Sequence, residues 1–220
     1  MRKNNAIKWC LLTVCLVLLI LSGCSSKPKV TFEQMAAWKY DVFVSKFGGF
    51  AVEAPDNWIF LSNEAIEDQI DGLDNMIYGT PQISLEEFQK ADGLYPLILV
   101  HEGQDDGGEA FFAHAFVIFE RLGVLTRLSV KTSDKYLELL KDDYIKEDSN
   151  GIYYSYGDVY SMNIGEDEYR CLPMVMNAYQ LQQVIAVRIK DDFVIAMIFT
   201  APVNHPELID EALGAFSVFQ

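Results

Sequence analysis

From residue 153 onward the chain offers four strand-like runs with little between them, and this limits its fold more than any other feature. The runs are Tyr153 to Met162, Arg170 to Ala178, Gln183 to Lys190 and Phe193 to Thr200. Strands joined by connections this short must be antiparallel, because a parallel return needs a crossover of about a dozen residues or more. Asp191-Asp192 lies between the last two runs as a tight hairpin turn. Pro173 has no ladder donor, so the second run is expected to carry it at an edge or a bulge.

The earlier part alternates between strand and helix patterns. Val42 to Lys46 and Gly49 to Ala54 are expected as strands around Phe47-Gly48, and Pro55-Asp56 stops the second. Pro96 to Val100 and the aromatic-rich Phe111 to Phe119 are further strands, with Val124 to Val130 as a partner for the latter. Phe32, Met35 and Ala36 have helical spacing, which predicts a short helix ending near Tyr40. Ser62 can cap a helix with Ala65, Ile66, Ile70 and Leu73 on its apolar face, and Ser84 to Glu87 has capping-box spacing. Asp134 to Lys146, preceded by Ser133, is amphipathic. Asn204 is expected to cap a last helix with Pro206 in its first turn and Leu208, Ile209, Ala212 and Leu213 buried. The order predicts one α/β (α+β) domain: a mainly antiparallel β-sheet with helices on both faces.

Composition narrows the function classes. Half of the 220 residues are hydrophobic and 22% are charged, which suits a folded domain and not a disordered chain. A net charge of -15 argues against a nucleic-acid partner held through phosphates. Four cysteines are too few for a disulfide scaffold.

The N-terminus looks like a targeting segment. Arg2, Lys3 and Lys8 precede the apolar run Trp9 to Leu21, which is too short for a bilayer span of about 20 residues and suits a signal-peptide core. It ends in Leu21-Ser22-Gly23-Cys24, which resembles the bacterial lipobox. That resemblance implies that residues 1–23 are a signal peptide removed from the chain. It also implies that Cys24 becomes the acylated first residue and that residues 24–31 are a lipidated tether, which leaves residues 32–220 for the one domain that the element order predicts. The protein would then be extracytoplasmic and held to the bacterial cell membrane by lipid, since two or three acyl chains anchor stably. Without residues 1–23 the chain keeps 14 basic and 32 acidic residues, a charge of -18, so the body is repelled by anionic surfaces. Lys27 and Lys29 can each add about 1 kcal/mol of attraction beside the leaflet. Cys10 and Cys15 leave with the signal, so Cys171 has no cysteine to pair with. Arg170 beside it would favour a thiolate, but adjacent strand residues face opposite ways, so a buried strand cysteine is expected.

Gly49-Phe50-Ala51-Val52-Glu53-Ala54-Pro55-Asp56-Asn57-Trp58 resembles the motif of PsbP-like α-β-α sandwich domains in which a G-F-x-V/I strand runs into P-x-x-W. Alternate strand residues enter the core, proline ends the strand, and Trp58 plugs the corner. The closing strand and helix, Phe193 to Phe219, resemble the same family. The resemblance implies a fold whose members include membrane-anchored lipoproteins that dock onto larger assemblies, with no shared catalytic residues.

The chemical candidates are sparse. His101 and His114 flank a loop on neighbouring strands and, with Glu102 or Glu120, offer zinc-type ligands. Their spacing matches no ligand motif, and partly exposed strand histidines are the expectation. His205 is expected on the surface. Asp105, Asp106 and Glu109, and separately Asp68, Asp71 and Asp74, carry calcium-type oxygens without EF-hand spacing. There is no G-x-S-x-G, phosphate loop, H-E-x-x-H or C-x-x-C. Tyr154, Tyr156 and Tyr160 share strand parity, so on one strand they form either an aromatic platform or packing beneath a helix. The expectation is therefore no catalytic residue, cofactor or metal. It is a docking or assembly module with a protein partner, and the alternative is a small-molecule or ion-binding lipoprotein.

Overall fold

A computed structural model describes residues 30, 32–61, 93–101, 103–104, 110–111, 113–123, 128–147 and 153–219. The signal segment, Cys24, the tether up to Lys29, the Ser62 and Ser84 helices, Glu102 and both acidic stretches lie outside these residues. The chain clusters into two compact units, Met1–Thr31 and Phe32–Gln220, and every element below belongs to the second.

Strands dominate the described residues, and every strand pair is antiparallel. The short helix α1 (Phe32–Met35) leads into β1 (Ala37–Lys39), β2 (Val42–Ser45) and β3 (Phe50–Glu53). The helix expected to reach Tyr40 thus stops at Met35. Ala37, Trp38 and Lys39 pair with Val44, Phe43 and Val42 instead. A single helical turn is too short to sustain itself, and the ladder takes over its residues. The β2–β3 turn is closed by Ser45: its carbonyl accepts from Gly49 N–H at 2.8 Å and its Oγ from Gly48 N–H at 2.9 Å.

The large sheet follows. It is built from β4 (Trp58–Phe60), β5 (Gly93–His101), β8 (His114–Arg121), β9 (Tyr154–Tyr156), β10 (Tyr160–Ile164), β11 (Asp167–Met176), β12 (Leu181–Lys190) and β13 (Phe193–Pro202). A small ribbon, β6 (Gly103–Gln104) with β7 (Ala110–Phe111), lies between β5 and β8 in the chain. The strand order is β10-β11-β12-β13-β8-β5-β4, with β9 also on β11. Both edges of β8 are taken, by β13 and β5, so no strand from residues 124–130 can pair with it. Leu128 and Ser129, at the described end of that segment, are helical.

Register defines two faces. Ile98, Phe116, Ile198, Ile185 and Leu172 form one row across five strands. Against this face packs α2 (Ser133–Glu147), through buried Leu137 with Tyr136 and Leu140 beside it. Thr132, not Ser133, caps α2, its Oγ1 accepting from Lys135 N–H at 3.2 Å. The helix is also tied to the sheet by polar contacts. Tyr136 donates to Glu120, and Arg170 reaches Asp134 at 2.7 Å and Ser161 at 2.8 Å.

Among the described residues the opposite face carries, as well as a helix, a second sheet that the pattern did not suggest. Its order is β1-β2-β3-β14, the last being Phe216–Ser217. Phe47 meets Phe119 and Phe193 across the layers, and Phe216 meets Phe199. Helix α3 (Glu207–Gly214) packs against β13 with Leu208, Ile209 and Ala212 buried. Asn204 does not cap α3: Pro206 stands at the N-cap and makes no side-chain cap bond. Glu207 takes over the first turn. Its carboxylate, hydrogen-bonded to its own backbone N–H and to His205, is held below the usual range. Among the described residues no helix is long and apolar enough to cross a membrane.

Candidate functional site

The histidines do not converge. His101 on β5 stands opposite Trp58 and shares its face, the rings 5.2 Å apart. His114 on β8 pairs with Val100, one residue earlier, and so faces the α2 side beside Phe116. One residue of offset sends the side chains to opposite faces of the sheet, which precludes a shared metal ion. Glu120 is occupied by Tyr136. His205 contacts Glu207 at 3.0 Å near the start of α3. No group of three or more metal-type ligands occurs among the described residues.

His114 is buried, contrary to the partly exposed setting expected for it. It lies in a row with Thr200 and Gln183, and the Gln183 amide donates to Thr200 Oγ1 at 2.9 Å. Burial drives the imidazole pKa down from 6.5 to about 3. The sign of the resulting pH dependence follows. Between those values the unfolded chain takes up a proton that the folded chain refuses. Stability from this group is whole above about pH 6.5 and is lost as pH falls toward about 3, by up to ~1.4 kcal/mol per unit. Urea unfolding of wild type and His114→Leu from pH 7 to pH 4 should show wild type losing more. Parallel curves would place the protonation elsewhere.

Cys171 is buried on β11 with its thiol pushed up to about 11, because desolvation outweighs the nearby Arg170. Arg170 itself turns to the α2 side, toward Asp134. A thiol in this state is not a nucleophile at neutral pH.

The three tyrosines do not share a face. The expected run from Tyr153 to Met162 is broken into β9 and β10. Met174 pairs with Tyr156 and Cys171 with Tyr160, so Gly157, Asp158 and Val159 stand across from only Leu172 and Pro173. Pro173 offers no N–H on that side, and its carbonyl accepts from Gly157 N–H at 2.9 Å. The extra residue is a bulge, and it reverses parity. Tyr154 and Tyr156 stack 6.3 Å apart at the flank of the α2 core, with Lys141 over Tyr156 at 5.7 Å. Tyr160 goes to the other face beside Cys171, where burial and the nearby Cys171 and Asp210 raise its pKa.

What the molecule does expose is a rim of large side chains at one end of the big sheet. Tyr153, 66% exposed, Tyr179 and Val203 stand there on three neighbouring connections. The connections brace one another: Asn177 N–H donates to Tyr153 O at 3.1 Å, and Val203 N–H to Gln180 O at 2.9 Å. Asn177 Nδ2 adds a bond to Tyr153 O at 2.6 Å and another to Ser155. Tyr153 and Gln180 hold left-handed backbones, with φ of 54° and 51°. Tyr179 escaped the sequence reading, although an aromatic inside the polar turn 177–180 was a visible signal.

The chain is similar to the solution structure of cyanobacterial PsbP (CyanoP) from Synechocystis sp. PCC 6803. The TM-score is 0.42 and the identity 12%, covering 89% of this chain and 99% of that one. No family model matches the chain. No curated protein matches it either.

Proposed function

We propose that this chain is an extracytoplasmic lipoprotein, acylated on Cys24 and held to the bacterial cell membrane. Its body, residues 32–220, acts as a PsbP-like α-β-α domain that docks a protein partner and performs no turnover. The observation that carries the docking part is the braced aromatic rim of Tyr153, Tyr179 and Val203. Rigid exposed tyrosines bring large contact area at low entropic cost. The anchor part rests on the sequence Leu21-Ser22-Gly23-Cys24. The alternative, a small-molecule site on a tyrosine platform, is weakened because Tyr160 lies on the face opposite Tyr154 and Tyr156. A charge of -18 favours a basic partner, steered to its site electrostatically.

The test has two arms. Cells fed a fatty-acid analogue should label the wild-type chain and not Cys24→Ala; equal labelling rejects the anchor. A partner captured from native membranes should associate more slowly as salt rises, and Tyr179→Ser should speed its release roughly tenfold or more. Release unaffected by Tyr179→Ser and by Tyr153→Ser rejects the rim as the docking surface.

A further inference from the structure

The β1–β2 hairpin carries two aromatic side chains that the packing of the domain covers only in part or not at all. Tyr40, in the turn, is 92% exposed, and Trp38 before it is 53% exposed. Tyr40 holds φ at 58°, a left-handed conformation that bulky residues adopt at a cost and that Asn, Asp or Gly fill more easily. The same conformation recurs at Asn57, Tyr153, Gln180 and Asp191, so it is the exposure of the ring at this turn, more than its φ, that calls for a surface to meet it. Trp38 is not loose. Its indole stands edge-on to Phe43 at 5.5 Å and to Phe60 at 4.9 Å, which aims it.

Tryptophan and tyrosine each join an apolar ring to a polar tip, and they settle where a bilayer meets water. Charge does not supply the attraction here. Exposed Lys39 is offset by Asp41 and by Glu53, which pairs with Val42 beside the turn. With residues 24–220 at -18, the fitting surface is a neutral headgroup layer. Chain length favours the same occupant. Tyr40 is sixteen residues from Cys24, at most ~55 Å of extended chain. Acyl chains on Cys24 would therefore keep the bilayer at high effective concentration around this turn. We propose that the Trp38–Tyr40 hairpin tip inserts at headgroup level into the bilayer that holds Cys24. This rests on the lipoprotein reading above.

The experiment uses the full chain, purified with its own lipid and placed on phosphatidylcholine vesicles brominated near the headgroup. Trp38 emission is obtained as wild type minus Trp38→Phe. It should be quenched about twofold or more relative to unbrominated vesicles. Tyr40→Asn relieves the backbone strain, so it should leave the melting temperature equal or higher while reducing the quenching. Unquenched Trp38 on vesicle-bound protein overturns the proposal. So does quenching that survives Tyr40→Asn, and so does a melting temperature that falls in step with the quenching, since the turn would then be structural. The mass of the mature N-terminus separates the two failures. Acylated Cys24 with unquenched Trp38 sinks the hairpin contact alone. An unacylated Cys24 sinks the lipoprotein reading and this inference with it.

Discussion

Trp58→Ala is expected to cost about 3–5 kcal/mol of stability, the range for emptying a buried aromatic site. At a few degrees per kcal/mol for a domain of this size, the melting temperature should drop by roughly 10 °C. Trp58 opens β4 directly after the turn at Asp56 and Asn57, and only 4% of it is exposed. Three contacts hold it. Its backbone N–H donates to Pro55 O at 3.0 Å, its ring meets His101, and its Nε1 donates to Glu211 Oε2 at 3.3 Å. The residue thus links β4, β5 and α3. Trp58→Phe keeps a ring in the site but gives up the Nε1 bond and part of the indole volume, so it should cost less, about 1–2 kcal/mol. Equal losses in thermal melts of the two variants would assign the stability to the bond and not to packing.

Gly165→Ala should be comparably damaging, at about 2–4 kcal/mol from strain and overpacking together. Gly165 turns β10 into β11 with φ at 61°. A Cβ there would lie 2.4 Å from Gly49 O and 2.9 Å from Phe50 Cβ. That carbonyl also accepts from Glu166 N–H at 3.1 Å, so it cannot retreat without breaking the seam between the two sheets. Gly214→Ala is the control: a Cβ at Gly214 meets nothing within 4 Å, so that variant should be neutral or slightly stabilised. Chemical unfolding of the two variants side by side decides the matter. A Gly165→Ala chain as stable as the control would mean that the sheets are not locked together at this turn.

Much of the framework was legible because its signals are local. Alternation and the Asp191-Asp192 turn located β12 and β13, which pair from Leu181↔Pro202 to Lys190↔Phe193. Apolar spacing located α2 within one residue at each end. Pro173 pointed to an edge or a bulge in its own run; the bulge lies in the run across from it. The misses share a different cause. Val124 to Val130 has strand composition, but β13 and β5 had already filled both edges of β8. Asn204 is a good capping residue, but the turn closed by His205 N–H on Pro202 O spends it one step too early. The second sheet was underestimated because β1 and β14 span only three and two residues, too few for periodicity to register.

The candidate site shows where sequence stops and tertiary structure begins. By itself the sequence determined that the chain alternates in and out along antiparallel strands, that a proline removes a ladder donor from one of them, and that Trp58 follows a strand stop. It could not determine which face each chemically interesting residue would take. A period of two assigns parity within one strand, while the face depends on pairing register and on bulges, which arise only between strands. One extra residue opposite Pro173 separates Tyr160 from Tyr154 and Tyr156. One residue of offset between β5 and β8 separates His101 from His114. Exposure was decided in the same way: Trp38 stays half exposed while Phe43, its partner across the β1–β2 ladder, is buried, a property of the packed layers and not of any run of residues.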